Sequence, residues 1–404
     1  MLSDARRRIL IPIFAVVALS NPALAADVKF GFLAGMTGQI EEIVPPIADA
    51  AQLAYRNINE QGGLLDGNNA VQAVGDTECS GDPAKAVKAA ERLIEKEEVV
   101  AIVGALCSAS TFAAAMNVAV PANVAMISPA STSPVISTAE DSDLVFRTIV
   151  SDAYQGEVLA RLIKSEGVAA IAITYVNNDY GKGLAYTLEQ ALPAAGITVS
   201  ASLAHAEGKT DYGDELKQLA ASQAPALLII GYENGSGGAI LREASAAGSF
   251  ERYFASDGMV SDSLAAELGE ALEGKLVMTK PGEPVTPGAA RFRELALEAG
   301  IDPDAPFVAN SYDAAFILAL ALEKSGIADR AALAGAIRDV ASSPGEIILP
   351  GEWEKAKRII AGGGEVNYEG ASGPVEFDAA GDVPAVYLHA VVEGGKVVVT
   401  GSAE

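Results

Sequence analysis

Positive charge is scarce in this chain. Its 404 residues include 28 Lys and Arg against 53 Asp and Glu, a formal charge of −25 at pH 7. Nucleic-acid binding needs cations that displace counterions from phosphates, and docking on anionic lipid needs the same sign, so neither is a partner. Histidine and cysteine are rarer still: His205 and His389, Cys79 and Cys107. They are too few for a zinc site of nitrogen and sulfur ligands, and no metal or other cofactor is expected. Long apolar runs are also missing after the N-terminus. The best candidate, Ala309 to Leu322, is interrupted by Asn310, Ser311 and Asp313 and does not read as a membrane span. What the chain does have is aliphatic bulk. Half of it is apolar and 20% charged, which builds packed cores, and its length suggests two or three domains.

The N-terminus reads as an address. Arg6, Arg7 and Arg8 precede an apolar run from Ile9 to Leu19, and Ala23-Leu24-Ala25 supplies a small-x-small cleavage site. The run is too short to cross a bilayer, so residues 1–25 are expected to be a secretory signal peptide. Export places Cys79 and Cys107 in an oxidising compartment, where an even pair suggests a disulfide; two buried free thiols are the alternative.

From Val28 onward, short β-branched runs alternate with longer alanine-rich segments of helical character. Predicted strands are Val28–Leu33, Val71–Asp76, Val99–Val103, Val124–Ser128, Ala170–Val176, Thr198–Leu203, Ala226–Gly231 and Tyr253–Ser256. The strands are nearly all apolar rather than alternating, the mark of parallel sheets buried on both faces. The alternation pauses near residues 137–150 and resumes as a second series, and β-rich sequence closes the chain. This predicts an α/β protein with two doubly wound Rossmann-like lobes joined by a three-strand hinge around a cleft.

Enzyme signatures are weak. Gly269 to Leu276 nearly spells a P-loop, but Leu276 replaces the metal-binding hydroxyl and the segment precedes a strand instead of following one. Gly181-Lys182-Gly183 reads better as a helix cap than as a dinucleotide fingerprint. No nucleophile-elbow motif occurs, and the two His and two Cys show no triad spacing.

Another set of residues has more chemical content. Gly104 to Thr111 follows a buried strand and runs into a helix, where free N–H groups, the positive dipole end and small hydroxyls suit a carboxylate. The next strand ends in Ser128-Pro129-Ala130-Ser131-Thr132-Ser133-Pro134. Both loops lie at carboxyl ends of strands, where open α/β sheets place ligands. Tyr180, Tyr232 and Asp257 hold equivalent positions in the second half. Asp257 could pair with an ammonium, and the tyrosines could cover an apolar side chain.

In these segments the chain resembles the type I periplasmic solute-binding proteins of ABC transporters, most closely the leucine/isoleucine/valine-binding group. The resemblance extends over Gly35-Met36-Thr37-Gly38, Asn57 to Gly63, Cys79 to Pro83, Leu106-Cys107-Ser108, Ile127 to Pro134 and Asn178-Asp179-Tyr180-Gly181. It implies a non-catalytic, periplasmic, monomeric receptor that binds an amino acid, branched-chain or otherwise aliphatic, and hands it to an inner-membrane permease. It also implies lobes of residues 26–148 plus 281–372 and 149–280 plus 373–404, and a Cys79–Cys107 disulfide. Ser108 and Thr132 would hold the ligand carboxylate with help from Ala130 and Ser131, while Tyr180, Tyr232 and Asp257 close from the second lobe. Asp257 stands where the family usually has Glu. Glu42 is read as outward surface charge, with a polar ligand side chain as its other possible contact. The same scaffold binding an amide, urea or aromatic carboxylate is the alternative, ahead of a sensor or an exported hydrolase.

Overall fold

The computed structural model describes residues 27–402 except 66, 80, 81, 283, 284 and 385, so the expected signal peptide, residues 1–25, lies outside the described residues. The first series runs β1 (Asp27–Ala34), α1 (Val44–Glu60), β2 (Asn69–Asp76), α2 (Pro83–Glu95), β3 (Ile102–Gly104), α3 (Ser108–Ala114, continued by a π-turn over Ala115–Ala119), β4 (Met126–Ser128), α4 (Pro134–Ser137) and β5 (Val145–Arg147). Its sheet is parallel, in the order β2-β1-β3-β4-β5. Strands β3, β4 and β5 are buried at every position, apolar except for Ser128 and Arg147 at the ends of β4 and β5.

The second series is α5 (Asp152–Ser165), β6 (Ala170–Val176), α6 (Asp179–Ala194), β7 (Thr198–His205), α7 (Gly213–Ala221), β8 (Ala226–Ile230), α8 (Ser236–Ala247), β9 (Arg252–Ala255), α9 (Asp262–Leu272) and β10 (Leu276–Pro281). The chain then builds α10 (Pro287–Glu298), α11 (Val308–Ser325), α12 (Arg330–Ala341), β11 (Glu346–Ile348), α13 (Trp353–Ala361), β12 (Val366–Gly370) and β13 (Gly373–Pro374). These return to the first lobe, where α11, α12 and α13 share one apolar core with β1 and α1. The last strands, β14 (Tyr387–Glu393) and β15 (Lys396–Ser402), add antiparallel to the second sheet, giving β15-β14-β10-β9-β8-β6-β7. Two parallel-sheet lobes result, the chain changing from one to the other after β5, after β10 and after β13.

Register decides where the loops fall. Leu33 pairs with Gly104, Val103 with Ile127, and Ile127 with Phe146, so the loops after β1, β3 and β4 emerge side by side. In the second lobe Tyr175 pairs with Ile230, and Ile229 with Ala255, which aligns the loops after β6, β8 and β9 in the same way. Gly104 is needed at this edge. Its φ is +121°, and a Cβ there would lie 2.2 Å from the Leu33 carbonyl oxygen.

Helices α9, α12 and α13 and strands β11 to β13 are absent from the sequence reading. The near P-loop segment is the end of α9 running into β10, an order in which no phosphate cradle can form. Helix α6 begins at Asp179, and the Asn178 side chain accepts from the Gly181 N–H at 2.9 Å, so Gly181-Lys182-Gly183 is part of a capped first turn. Among the described residues no helix is long and apolar enough to cross a membrane.

Candidate functional site

The aligned loops of the two lobes enclose a cavity of about 280 Å³. Ser108, Ala130, Thr132, Tyr180, Tyr232 and Asp257 all line it. Ser131 does not. It is fully buried behind the loop, with its hydroxyl 2.6 Å from Thr111 Oγ1 and donating to the Ala105 carbonyl at 3.2 Å.

In the first lobe, Cys107 caps α3 from an extended conformation, and Ser108 opens the helix where amide groups have no intrahelical acceptor. Cys107 is joined to Cys79, with Cα atoms 5.8 Å apart, which fixes this turn to the end of β2. The two ligand loops are also stitched to each other. Ser108 Oγ accepts from the Ser133 N–H at 3.3 Å, and Ser128 Oγ donates to the Ala105 carbonyl at 2.6 Å. Arg147, fully buried at the end of β5, donates to the carbonyls of Ser131 and Ser133 and pairs through two nitrogens with Asp382, at 2.6 and 2.8 Å.

In the second lobe the Tyr180 hydroxyl donates to Asp257 Oδ1 at 2.8 Å and lies 2.7 Å from Ser256 Oγ. Tyr180 and Tyr232 stack, their ring centroids 5.4 Å apart. Asp257 shows part of its surface to the cavity but lies deep in the molecule, and that burial raises its pKa above the usual carboxylate range. Tyr180 and Gln155 oppose the shift through hydrogen bonds.

Several site residues escaped the sequence reading. Asp152, at the start of α5, is fully buried, and its Oδ2 accepts from the Thr132 hydroxyl at 2.8 Å while Oδ1 has no partner. Its pKa is pushed well up, first by burial and then by the charge of Asp257. Capping at Ser151 was the available signal, but capping does not announce a ligand group. Asp152 sits behind Thr132 and does not line the cavity, whereas Glu233 does. Burial, then Glu42 in the first lobe, raises its pKa to about 7 against the pull of Arg242, and its Oε2 is buried without a partner. Glu42 is exposed, as read from sequence, yet it also bridges the lobes by accepting from Asn234 Nδ2 at 2.9 Å. A second bridge runs from Ser133 Oγ to the Asp179 carbonyl at 2.9 Å, so the lobes stand closed. Ile40, Ile43, Ile47, Leu106, Val260 and Phe307 form the apolar part of the lining.

A closed cavity between two α/β lobes, with hydroxyls and a helix start on one wall and stacked tyrosines with a carboxylate on the other, defines a small-molecule receptor. A family model described as "Receptor family ligand binding region" matches residues 47–389, and the chain belongs to that family, among the Leu/Ile/Val-binding type I solute-binding proteins of ABC transporters. The chain is 30% identical over 345 residues to a chemotactic signal transduction system substrate-binding protein of Halobacterium salinarum, covering 84% of this chain and 80% of that one. It is 29% identical over 368 residues to a Leu/Ile/Val-binding protein of Citrobacter freundii, covering 91% of each. Among solved structures, a leucine-binding protein of Thermotoga maritima superposes with a TM-score of 0.78 at 27% identity, covering 93% of this chain and 98% of that one. Proteins of this kind bind their ligands without transforming them, and this chain is a binding protein and not an enzyme.

Proposed function

We propose that this protein captures a free amino acid in the periplasm, between lobes bounded near residues 148/149, 280/281 and 372/373, and presents it to an inner-membrane ABC permease. The observation that carries the reading is the pair Asp152 and Asp257. Two buried carboxylates act on each other, and Arg147, the cation that acts on Asp152, is already paired with Asp382. Like charges so placed hold their protons or take up a cation, and an α-ammonium supplies one. The ligand carboxylate goes to the first turn of α3 and the hydroxyls of Ser108 and Thr132, while Tyr180 and Tyr232 close over the other side. The isoleucines with Leu106 and Phe307 accept an aliphatic stem, in keeping with relatives named for leucine, isoleucine and valine.

Contacts from both lobes are what let a ligand favour the closed form. The test is a thermal-shift panel of α-amino acids on the processed chain, followed by calorimetry of each binder against the same acid lacking its α-amino group. The des-amino acids should bind at least about 100-fold more weakly. Equal binding, or no response to any α-amino acid, refutes the assignment.

A further inference from the structure

Asp152 and Asp257 account for one positive charge on the ligand, but they leave another acid in the cavity without a role. Among the described residues that line the cavity, the charged ones are Glu233, Asp257, Asp304 and Lys280. Asp304 is bonded to Arg293. Glu233, one position past Tyr232, is different: its Oε2 is buried and accepts nothing. Arg242 acts on Glu233 but is itself held by two bonds to Glu267, at 2.8 and 2.7 Å. Gln39, from the first lobe, lines the same cavity and also has a buried, unpartnered oxygen, Oε1. Closure then brings a second acid near Glu233, because its neighbour Asn234 bonds Glu42 across the cleft.

Glu233 and Gln39 therefore line one cavity from opposite lobes, each with an unpartnered oxygen, and Glu42 adds a second negative charge acting on Glu233. A neutral apolar ligand would leave Glu233 partly desolvated, with only Arg242, itself held by Glu267, opposing that cost. A cation placed there removes that cost and attracts both lobes at once. The same lining includes Ile40, Ile43 and Val260, surfaces suited to a methylene stem.

We infer that Glu233, together with Gln39 of the opposite lobe, receives a cationic group at the end of the ligand's side chain, so that the preferred ligand is an α-amino acid with a basic, lysine-like side chain. This rests on the amino-acid reading above and narrows it from aliphatic to aliphatic with a charged tip.

Lysine and norleucine test it, since they share a four-carbon stem and differ by the terminal ammonium. Calorimetry at pH 8 should show lysine binding at least about tenfold more tightly, the scale of one charge-assisted hydrogen bond. Glu233→Gln should bring the ratio close to one, by weakening lysine and, with the carboxylate's burial cost removed, strengthening norleucine, and its circular dichroism spectrum and cooperative urea unfolding report that the variant is folded. Should Glu233→Gln not fold, Gln39→Leu in the other lobe should likewise lower the lysine-to-norleucine ratio. In the native protein the lysine preference should shrink as pH falls from 8 to 5.5. Glu233, flanked by Glu42 and Arg242 and raised to about 7, takes up a proton in that window. Norleucine binding as tightly as lysine, or a ratio that survives Glu233→Gln, overturns the assignment and leaves the amino-acid reading standing. No binding by any α-amino acid overturns both.

Discussion

Replacing Asp257 by Asn separates charge from shape at the centre of the site. Tyr180 donates to Oδ1 at 2.8 Å, and an amide oxygen in the same place accepts the same bond. The turn after β9 and the Tyr180–Tyr232 stack therefore persist, and only the negative charge is lost. With ligand bound, the ammonium loses a buried ionic partner, which costs about 2 to 5 kcal/mol, or about 30- to 5,000-fold in Kd. The empty protein responds in the opposite sense. Burial raises the pKa of Asp257 in the folded state above its unfolded value, and Asp152 is raised further by the charge of Asp257. A group raised in this way contributes stability in full below its unfolded pKa and loses it as pH rises through its folded pKa. At pH 7.5, where the pair carries more negative charge than at pH 5, that charge is thus a burden on the unliganded fold, and Asp257→Asn should make that fold more stable, by on the order of 1 kcal/mol. Towards pH 5 the difference between variant and native protein should narrow. Paired measurements decide it: calorimetric affinity for the best amino-acid ligand, and ligand-free denaturation midpoints at pH 5 and 7.5. Native affinity in Asp257→Asn, or a variant less stable than the native chain at pH 7.5, refutes the reasoning.

Two further perturbations test the frame around the cavity. Cys79 and Cys107 are 28 positions apart, and loop entropy assigns their disulfide about 3.5 kcal/mol; the Cys79→Ser, Cys107→Ser double variant should lose about that much in urea unfolding, and an unchanged midpoint at unchanged slope contradicts the estimate. Gly183, on α6, lets the lobes meet, since a Cβ there would lie 2.7 Å from Ser133 Oγ and 2.9 Å from Pro134 Cδ. Gly183→Val should therefore weaken ligand binding at least about tenfold by holding the cleft open, with a larger solution radius of gyration in the presence of ligand; full affinity and a native radius show that closure does not need this contact.

What was legible in the sequence was local, and what was missed depended on partners far along the chain. Uninterrupted apolar strands such as Ala226–Ile230 announce a parallel sheet because both faces must be covered. The loop after β3 and the one after β4 were found because small hydroxyl residues followed each strand directly. Asp152 was not found, because a Ser151-Asp152 helix start is ordinary capping chemistry until Asp257, far along the same series after β9, is placed against it. Helix α12 carried a usable signal: Asp329 caps it, and Leu333, Ala336, Ile337 and Val340 have helical spacing and are buried. Helix α6 begins at Asp179, inside the Asn178-to-Gly181 segment read for its resemblance, because Asn178 caps Gly181 from outside the apolar pattern. Glu42 shows how one residue can satisfy a local reading and still have a second role, being exposed on its own lobe and bonded to the other.

The buried charges fall into two groups, and the division separates scaffold from receptor. Arg147 is wholly enclosed yet fully engaged, with Asp382 on one side and the carbonyls of Ser131 and Ser133 on the other. It links the end of β5, where the chain first leaves the lobe, to the third crossing segment and to the ligand loop between them. Such a pair needs nothing from outside, and breaking it would strand a charge in the interior. Asp152 is wholly enclosed and Asp257 and Glu233 partly so, and among the described residues none of the three has a salt-bridge partner. Burial of that kind is a standing cost to the empty fold, and a ligand that brings the missing charge is bound most tightly where the cost is relieved. These unpaired acids and the candidate ligand cavity therefore occur at one place, between the closing lobes.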